Sequence, residues 1–182
     1  MTKEVLVLCQ RKSGKVDSTR YSSNNVEELI VPRINEIVQE QLGSDTNIKY
    51  LTDMKGTMDG SADYNFSLNS YNLEAKEFIS NHIGFYSLII LNTCPFLIMD
   101  FKIIYDLLKP GGIMSFTTFP NTGNIFLPEE IITKIEGLFE NIGKNLYRKR
   151  LRGGKKQKTY KKKRTYKKRK TRKIKSRKSR KN

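Results

Sequence analysis

Short apolar runs recur along the chain and predict β-strands. In residues 4–9 and 85–91 the apolar side chains are continuous instead of alternating with polar ones, which is typical of strands that are buried on both faces. Shorter runs predict further strands over residues 47–51, 64–68 and 113–118.

The segments between these runs have the three-to-four-residue apolar spacing of amphipathic helices. Asn25 followed by Glu28 resembles a capping box and predicts the start of the first helix. We expect Pro32 to break or restart this helix and Gly43 to end it. Three further helices are expected over residues 72–82, 96–108 and 128–146.

The alternation of strands and helices indicates the fold class. Continuous apolar strands joined by helices predict a three-layer, Rossmann-like α/β domain around a mainly parallel sheet. Ligands of such sheets bind outside the carboxyl ends of the strands. The expected ligand region therefore comprises the loops at residues 10–15, 52–53, 92–96 and 118–124.

Basic residues are concentrated at the C-terminal end of the chain. The sequence contains 35 Lys and Arg and 18 Asp and Glu; residues 148–182 hold 22 of the basic and none of the acidic residues, which leaves a net charge of −5 on residues 1–147. The like charges and the scarcity of large apolar side chains predict a disordered tail. We therefore divide the chain into an α/β body, residues 1–147, and a basic tail, residues 148–182.

The tail repeats a pattern of Thr, Tyr and four basic residues over residues 159–164 and 165–170. Such charge density suits nucleic acid or another polyanion because each neutralised phosphate releases counterions. The tyrosines could stack on exposed bases, and no pattern offers readout of base edges, so the predicted binding is sequence-nonspecific. The expected contact residues are Lys155, Lys156, Lys158, Tyr160, Lys161, Lys162, Lys163, Arg164, Tyr166, Lys167, Lys168, Arg169, Lys170, Arg172 and Lys173.

Two other uses of the tail stay open, namely a nuclear-import or nucleolar signal and attachment to an anionic membrane surface. The repeat also resembles the Lys/Arg/Thr/Tyr tails of small proteins of large nucleocytoplasmic DNA viruses. This resemblance implies an intracellular protein that accompanies viral DNA in a factory in the host cytoplasm or in the virion, with the host nucleus as a further location. Viral proteins would then be partners of the body.

The centre of the body resembles an enzyme family. Residues 86–96, Tyr-Ser-Leu-Ile-Ile-Leu-Asn-Thr-Cys-Pro-Phe, and residues 107–113, Leu-Leu-Lys-Pro-Gly-Gly-Ile, are similar to the later half of class I S-adenosylmethionine-dependent methyltransferases. The resemblance implies Asn92, Pro95 and Phe96 as candidate catalytic residues, in a loop similar to the Asn-Pro-Pro-Tyr/Phe loop of amino-methylating members. This loop has one extra residue and lacks one proline, and Lys-Pro-Gly-Gly is also an effective helix stop.

The same resemblance implies cofactor contacts in the loops after the strands. Asp53 lies where an acid of the family binds the cofactor ribose, and Gly14 and Asn92 are the other candidates. The first of these loops has one glycine instead of the spaced glycines that let a backbone approach a cofactor, so we expect little or no S-adenosylmethionine binding. Asp53 could equally be a turn residue, and a solvated loop or an anion site is open for Arg11, Lys12 and Lys15.

Other chemistry is sparse. His82 ends a predicted helix, where a cation is favoured by the helix dipole. Cys9 and Cys94 are too few for a disulfide framework and suit a reducing compartment. One histidine, two separated cysteines and no acidic cluster predict no metal site. Polar residues interrupt the most apolar stretch, residues 83–108, so no membrane span is expected.

Three functions are compatible with this sequence. The leading one is sequence-nonspecific association with nucleic acid, with a methyltransferase-like body. The second is an active S-adenosylmethionine-dependent methyltransferase that the tail tethers to its substrate. The third is a virion structural component whose body makes protein contacts. Whether the body is an enzyme stays open at this point.

Overall fold

The computed structural model describes residues 2–10, 12, 27–53, 62–92, 94, 99–117 and 127–151. Within these residues the chain forms seven strands and four helices. In chain order they are β1 (Lys3–Leu8), α1 (Glu27–Leu42), β2 (Thr46–Thr52), β3 (Tyr64–Asn65), α2 (Leu73–Asn81), β4 (Tyr86–Asn92), α3 (Phe101–Leu107), β5 (Leu108–Thr117), α4 (Glu129–Leu138), β6 (Phe139–Gly143) and β7 (Leu146–Lys149).

All seven strands belong to one sheet, in the order β3-β2-β1-β4-β5-β7-β6. Strands β1 to β5 pair in parallel, whereas β7 is antiparallel to both β5 and β6. The mainly parallel α/β fold predicted from the sequence is therefore confirmed. The strand order reverses between β1 and β4, which makes their carboxyl ends the topological switch point of the sheet.

Two apolar clusters cover the two faces of the sheet. On one face α1 packs Ile34 and Ile37 against Val5 and Val7 of β1. On the other face α2, α3 and α4 pack against Leu6 and Leu8, together with alternate residues of β4. This alternation follows from the two-residue period of a strand, and it gives the three-layer architecture expected from the sequence.

Helix α1 continues through Pro32, so the predicted break at this proline is wrong. The helix continues because Ile30, Ile34 and Ile37 bury one stripe against the sheet, which outweighs one lost backbone hydrogen bond. The predicted capping residue Asn25 lies outside the described residues.

Helix α2 lies within the helix predicted over residues 72–82, and the first and last of those residues are its caps. Asn72 is its N-cap, and its side chain accepts hydrogen bonds from the backbone N–H groups of Glu74 and Ala75, at 2.8 and 3.3 Å. His82 is the C-cap residue. A side-chain acceptor at this position satisfies amide groups that have no partner within the helix.

Helix α3 begins later than the sequence predicted, because Asp100 is its N-cap and accepts a hydrogen bond from the N–H of Lys102 at 2.9 Å. It ends at Leu107, and β5 begins at the next residue, so the Pro-Gly-Gly of residues 110–112 lies within a strand. The irregular pairing of β4 with β5 near Tyr86 accommodates this segment.

The predicted helix over residues 128–146 is wrong in its second half. Helix α4 ends at Leu138, and a two-residue turn then joins β6 and β7 into a hairpin. Asn145 supplies the left-handed backbone of this turn, with φ of 59°, a conformation that asparagine tolerates well. The spacing of Ile142 and Leu146 continues that of α4, but the segment is stabilised as strands because β7 pairs with β5. No helix in the part of the chain described here is long and apolar enough to cross a membrane.

Candidate functional site

A cavity of about 300 Å³ opens at the carboxyl edge of the parallel strands, which places it at the lower end of the range of about 300–1,000 Å³ for small-molecule sites. Most of its lining surface is apolar, and four of the lining residues carry polar side-chain groups, namely one carboxylate, two hydroxyls and one amide. The lining residues are Leu8, Cys9, Leu51, Asp53, Ser67, Leu68, Asn69, Tyr71 and Met99.

The cavity lies beside the topological switch point. Leu8 is the last residue of β1, Asp53 follows β2, and Ser67 follows β3 by two residues. This is the edge of the sheet at which the sequence predicted a ligand site. Among the predicted cofactor-binding residues, Asp53 lines this cavity, and its side chain is exposed.

Cys9 has an unusual backbone at this edge. Its φ is 62°, in the left-handed region that residues other than glycine seldom adopt. Its N–H donates to the carbonyl of Leu51 at 2.8 Å, which extends the pairing of β1 with β2. Regular alternation would turn Cys9 to the α1 side with Val7, but it contacts the same apolar cluster as Leu8 and lines the cavity with it.

Cys9 and Cys94 form a disulfide bond, with their Cα atoms 5.5 Å apart and a sequence separation of 85. The bond joins the chain after β1 to the chain after β4, across the switch point. The expectation that the two cysteines are separate is wrong, because the β1 and β4 ends that they follow are neighbours in the sheet. In sequence, Cys9 directly follows one of the two strongest apolar runs, and Cys94 lies three residues after the end of the other.

Asn92, a candidate for both catalysis and cofactor binding, is buried on the other face of the sheet. Its side-chain amide donates to Oε1 of Gln10 at 2.6 Å, and both residues are 2% exposed. Asn92 follows Leu88 and Ile90 on the α1 side, so its side chain does not line the cavity. Thr52 is fully buried, and its hydroxyl has no hydrogen-bond partner within the described part of the chain.

Asp63 organises the charged groups near the β2–β3 edge. Its carboxylate lies 2.9 Å from Nζ of Lys12 and 3.6 Å from Nζ of Lys49, and accepts from the N–H of Tyr50 at 2.9 Å. Partial burial raises the pKa of Asp63, but the hydrogen bonds and the two ammonium groups outweigh it, so the pKa lies below its usual value. Lys12, a candidate for an anion site, is thus paired with an acid, whereas Arg11 lies outside the described residues.

His82 belongs to an aromatic cluster at the end of α2. Its Nδ1 lies 2.8 Å from the carbonyl oxygen of Phe78, and its ring stacks on Phe78 and Tyr86 with centroids 4.3 and 5.7 Å away. Burial, with a smaller effect of Tyr64, raises the pKa of the Tyr86 hydroxyl far above its usual value. These contacts give His82 a packing role at the helix end.

The first basic residues of the predicted tail are part of the body. Nζ of Lys149 donates to the carbonyl of Leu108 at 2.5 Å and lies 4.4 Å from the ring centroid of Tyr105. Nε of Arg150 donates to the carbonyl of Phe139 at 2.8 Å, and the Tyr105 hydroxyl donates to the Arg150 carbonyl at 2.9 Å. Strand β7 therefore extends past the charge-based boundary, and 19 of the 22 basic residues follow Leu151.

The remaining candidates fall outside the described residues. These are Gly14, Pro95, Phe96 and every predicted nucleic-acid contact of the tail, residues 155–173. Among the residues that are described, no group of three or more His, Cys, Asp or Glu side chains could hold a metal ion. Comparison with known proteins finds neither a family model nor a curated protein sequence that matches this chain.

Proposed function

We propose that this protein associates with nucleic acid without sequence preference, and that its α/β body carries the basic tail that binds. The observation that carries the proposal is the separation of charge along the chain. Beyond Leu151 there are 19 basic residues and no acidic ones, whereas residues 1–147 have a net charge of −5. A net negative body disfavours phosphate, so the tail is the part of the chain that should bind it.

The hydrogen bonds at the end of β7 support this division. Lys149 and Arg150 donate to carbonyl groups of the fold, so these two cations are used within the body. Strand β7 lies between β5 and β6 and pairs with both. The basic tail therefore follows a strand that is held in the sheet on both sides.

Titration of the full chain with duplex DNA and with RNA at several salt concentrations tests the proposal. If about half of the 19 cations contact phosphates, the slope of log K against log salt should be near −9, at about −0.9 per contact. A chain truncated after Leu151 is the matched control and should lose nearly all binding. Retained tight binding by the truncated chain, or strong preference for one sequence, would overturn the proposal.

A second candidate function is a methyltransferase activity that uses S-adenosylmethionine. The observation that favours it is the cavity beside the switch point, with Asp53 on its wall. The resemblance of residues 86–96 and 107–113 to class I methyltransferases implies a doubly wound, mainly parallel sheet, and the strand order of this chain supports that likeness. Asp53 would then hold the cofactor ribose.

Calorimetry of the truncated body with S-adenosylmethionine separates the two candidates. The methyltransferase proposal requires micromolar binding of S-adenosylmethionine that the Asp53→Ala substitution weakens. The matched control is Asp45→Ala, at a residue that does not line the cavity, and it should leave this binding unchanged. The leading proposal expects weak binding or none, because the loop after β1 has a single glycine, Gly14. Binding that is insensitive to Asp53 would count against a cofactor site in this cavity.

The proposed cellular setting rests on the tail. Its resemblance to tails of large DNA virus proteins supports association with viral DNA in a cytoplasmic factory or in the virion. If the protein is a structural component of the virion, its body would contact other viral proteins. Fractionation of infected cells and of purified particles, with the tail-truncated chain as control, tests this location.

A further inference from the structure

The two sulfur atoms of the Cys9–Cys94 bond have different surroundings. Cys9 is partly buried and lines the cavity at the switch point. Cys94 is 3% exposed and packs within the apolar cluster between the sheet and helices α2, α3 and α4. A small molecule that enters the cavity therefore reaches the Cys9 side of the bond.

We propose that this disulfide is a reversible redox site, which low-molecular-weight thiols open at Cys9. Access decides which sulfur of a disulfide is attacked, and the left-handed backbone of Cys9, with φ of 62°, directs it to the cavity. The lining of the cavity includes Asp53, Ser67 and Asn69, which suit a small polar thiol such as a cysteine-containing peptide.

The chemistry is thiol–disulfide exchange and needs only the thiol as reductant. A thiolate attacks Sγ of Cys9 and forms a mixed disulfide; the Cys9–Cys94 bond breaks, and its electron pair leaves with Sγ of Cys94, which is then protonated. A second thiolate attacks the small-molecule sulfur of the mixed disulfide and releases Cys9. Two thiols are thereby oxidised to one disulfide, the protein disulfide is reduced to two thiols, and excess small-molecule disulfide reverses both steps.

The opening of this bond alters the ligand region. The bond ties the chain after β1 to the chain after β4, at Cα atoms 5.5 Å apart. Its reduction removes the covalent tie between Cys9, which lines the cavity, and Cys94, which is buried in the apolar cluster. The redox state would thus change the covalent constraint on one lining residue of the cavity.

Two single-cysteine variants of the full chain test the assignment, with oxidised glutathione as the probe and peptide mass mapping as the readout. Cys94→Ser, which retains Cys9, should form the mixed disulfide in the folded state. Cys9→Ser, which retains Cys94, should form none until guanidinium exposes it, and this unfolded labelling is its control. An adduct on Cys94 in folded Cys9→Ser, or no adduct on Cys9 in Cys94→Ser, would overturn the proposal.

The wild-type chain gives a test that does not depend on the folding of either variant. Brief treatment with reduced glutathione followed by alkylation should trap an intermediate with glutathione on Cys9 and the alkyl group on Cys94. The reverse arrangement contradicts attack at Cys9. The protein purified without reductant could instead contain two free thiols that remain free in excess oxidised glutathione. This result would show that no such disulfide forms.

Discussion

The hydrogen bonds of Lys149 and Arg150 predict where the folded body ends. A chain truncated after Leu151 keeps β7 intact, whereas one truncated after Tyr147 loses half of that strand and the residue that follows it. Charge alone places the boundary between residues 147 and 148. The two truncations therefore distinguish a boundary set by charge from one set by hydrogen bonding.

The expected loss of stability follows from four hydrogen bonds. They are Lys149 Nζ to Leu108 O, Arg150 Nε to Phe139 O, Arg150 N to Leu138 O, and Tyr105 Oη to Arg150 O, at 2.5, 2.8, 3.2 and 2.9 Å. At a net value of about 0.5–1.5 kcal/mol each, they sum to about 2–6 kcal/mol. A domain is stable by about 5–15 kcal/mol, so the chain that ends at Tyr147 should be marginal or unfolded.

Urea unfolding monitored by circular dichroism measures this difference. The chain truncated after Leu151 should unfold cooperatively at the midpoint of the full chain, and the one truncated after Tyr147 should shift to much lower urea. Lys149→Met and Arg150→Met in the full chain each remove one of these hydrogen bonds while they keep an unbranched side chain, so each should lower the midpoint by part of this difference. Equal stability of the two truncated chains would refute the reasoning.

Three further predictions concern charge, burial and the disulfide. The pKa of Asp63 is lowered in the folded state from about 3.8, so its charged form stabilises the fold above that pH and the contribution is lost as pH falls through the folded pKa. Asp63→Asn should therefore flatten the fall of Tm below about pH 4, and an unchanged acid profile would contradict the ion pairs with Lys12. The pKa of Tyr86 is raised from 10.0, so the stability due to its neutral form is complete below about pH 10 and is lost at higher pH. The Tyr86→Phe variant should therefore resist alkaline unfolding more than the wild type. Equal Tm curves would argue against burial of the hydroxyl. The bond between Cys9 and Cys94 closes a loop with a sequence separation of 85, so the free energy of unfolding in urea should be about 4–5 kcal/mol lower for the double serine variant than for the oxidised protein. An unchanged free energy would mean that the bond is absent in solution.

The sequence predicted those elements whose signals are local. Strands β1 and β4 each contain four consecutive apolar residues, and Asn72 caps α2 with its own side chain. The β6–β7 hairpin has no such signal, because Ile142 and Leu146 continue the helical spacing of α4. What makes this segment a strand is the pairing of Ser115 with Leu146, a contact between residues far apart in sequence.

The candidate site was predictable as a region and less so as a set of side chains. Asp53 lies on the cavity wall, as its place after β2 indicated. Asn92 lies on the α1 side because it follows Ile90 by two residues in the same strand. The disulfide depends on β1 and β4 being neighbours, with Leu8 opposite Leu91, and a single sequence does not reveal which strands are adjacent.

The two outer strands of the sheet have a consequence for self-association. Of the described strands, β3 at one edge has two residues, and β6 at the other has five, with exposed Glu140 and an irregular pairing between Asn141 and Gly143. Short, charged or irregular edges discourage strand-to-strand pairing between separate chains. If the tail binds nucleic acid as proposed, copies along one polyanion would meet at high local concentration without presenting a long free edge of any described strand, which favours separate folded copies over amyloid-like aggregates.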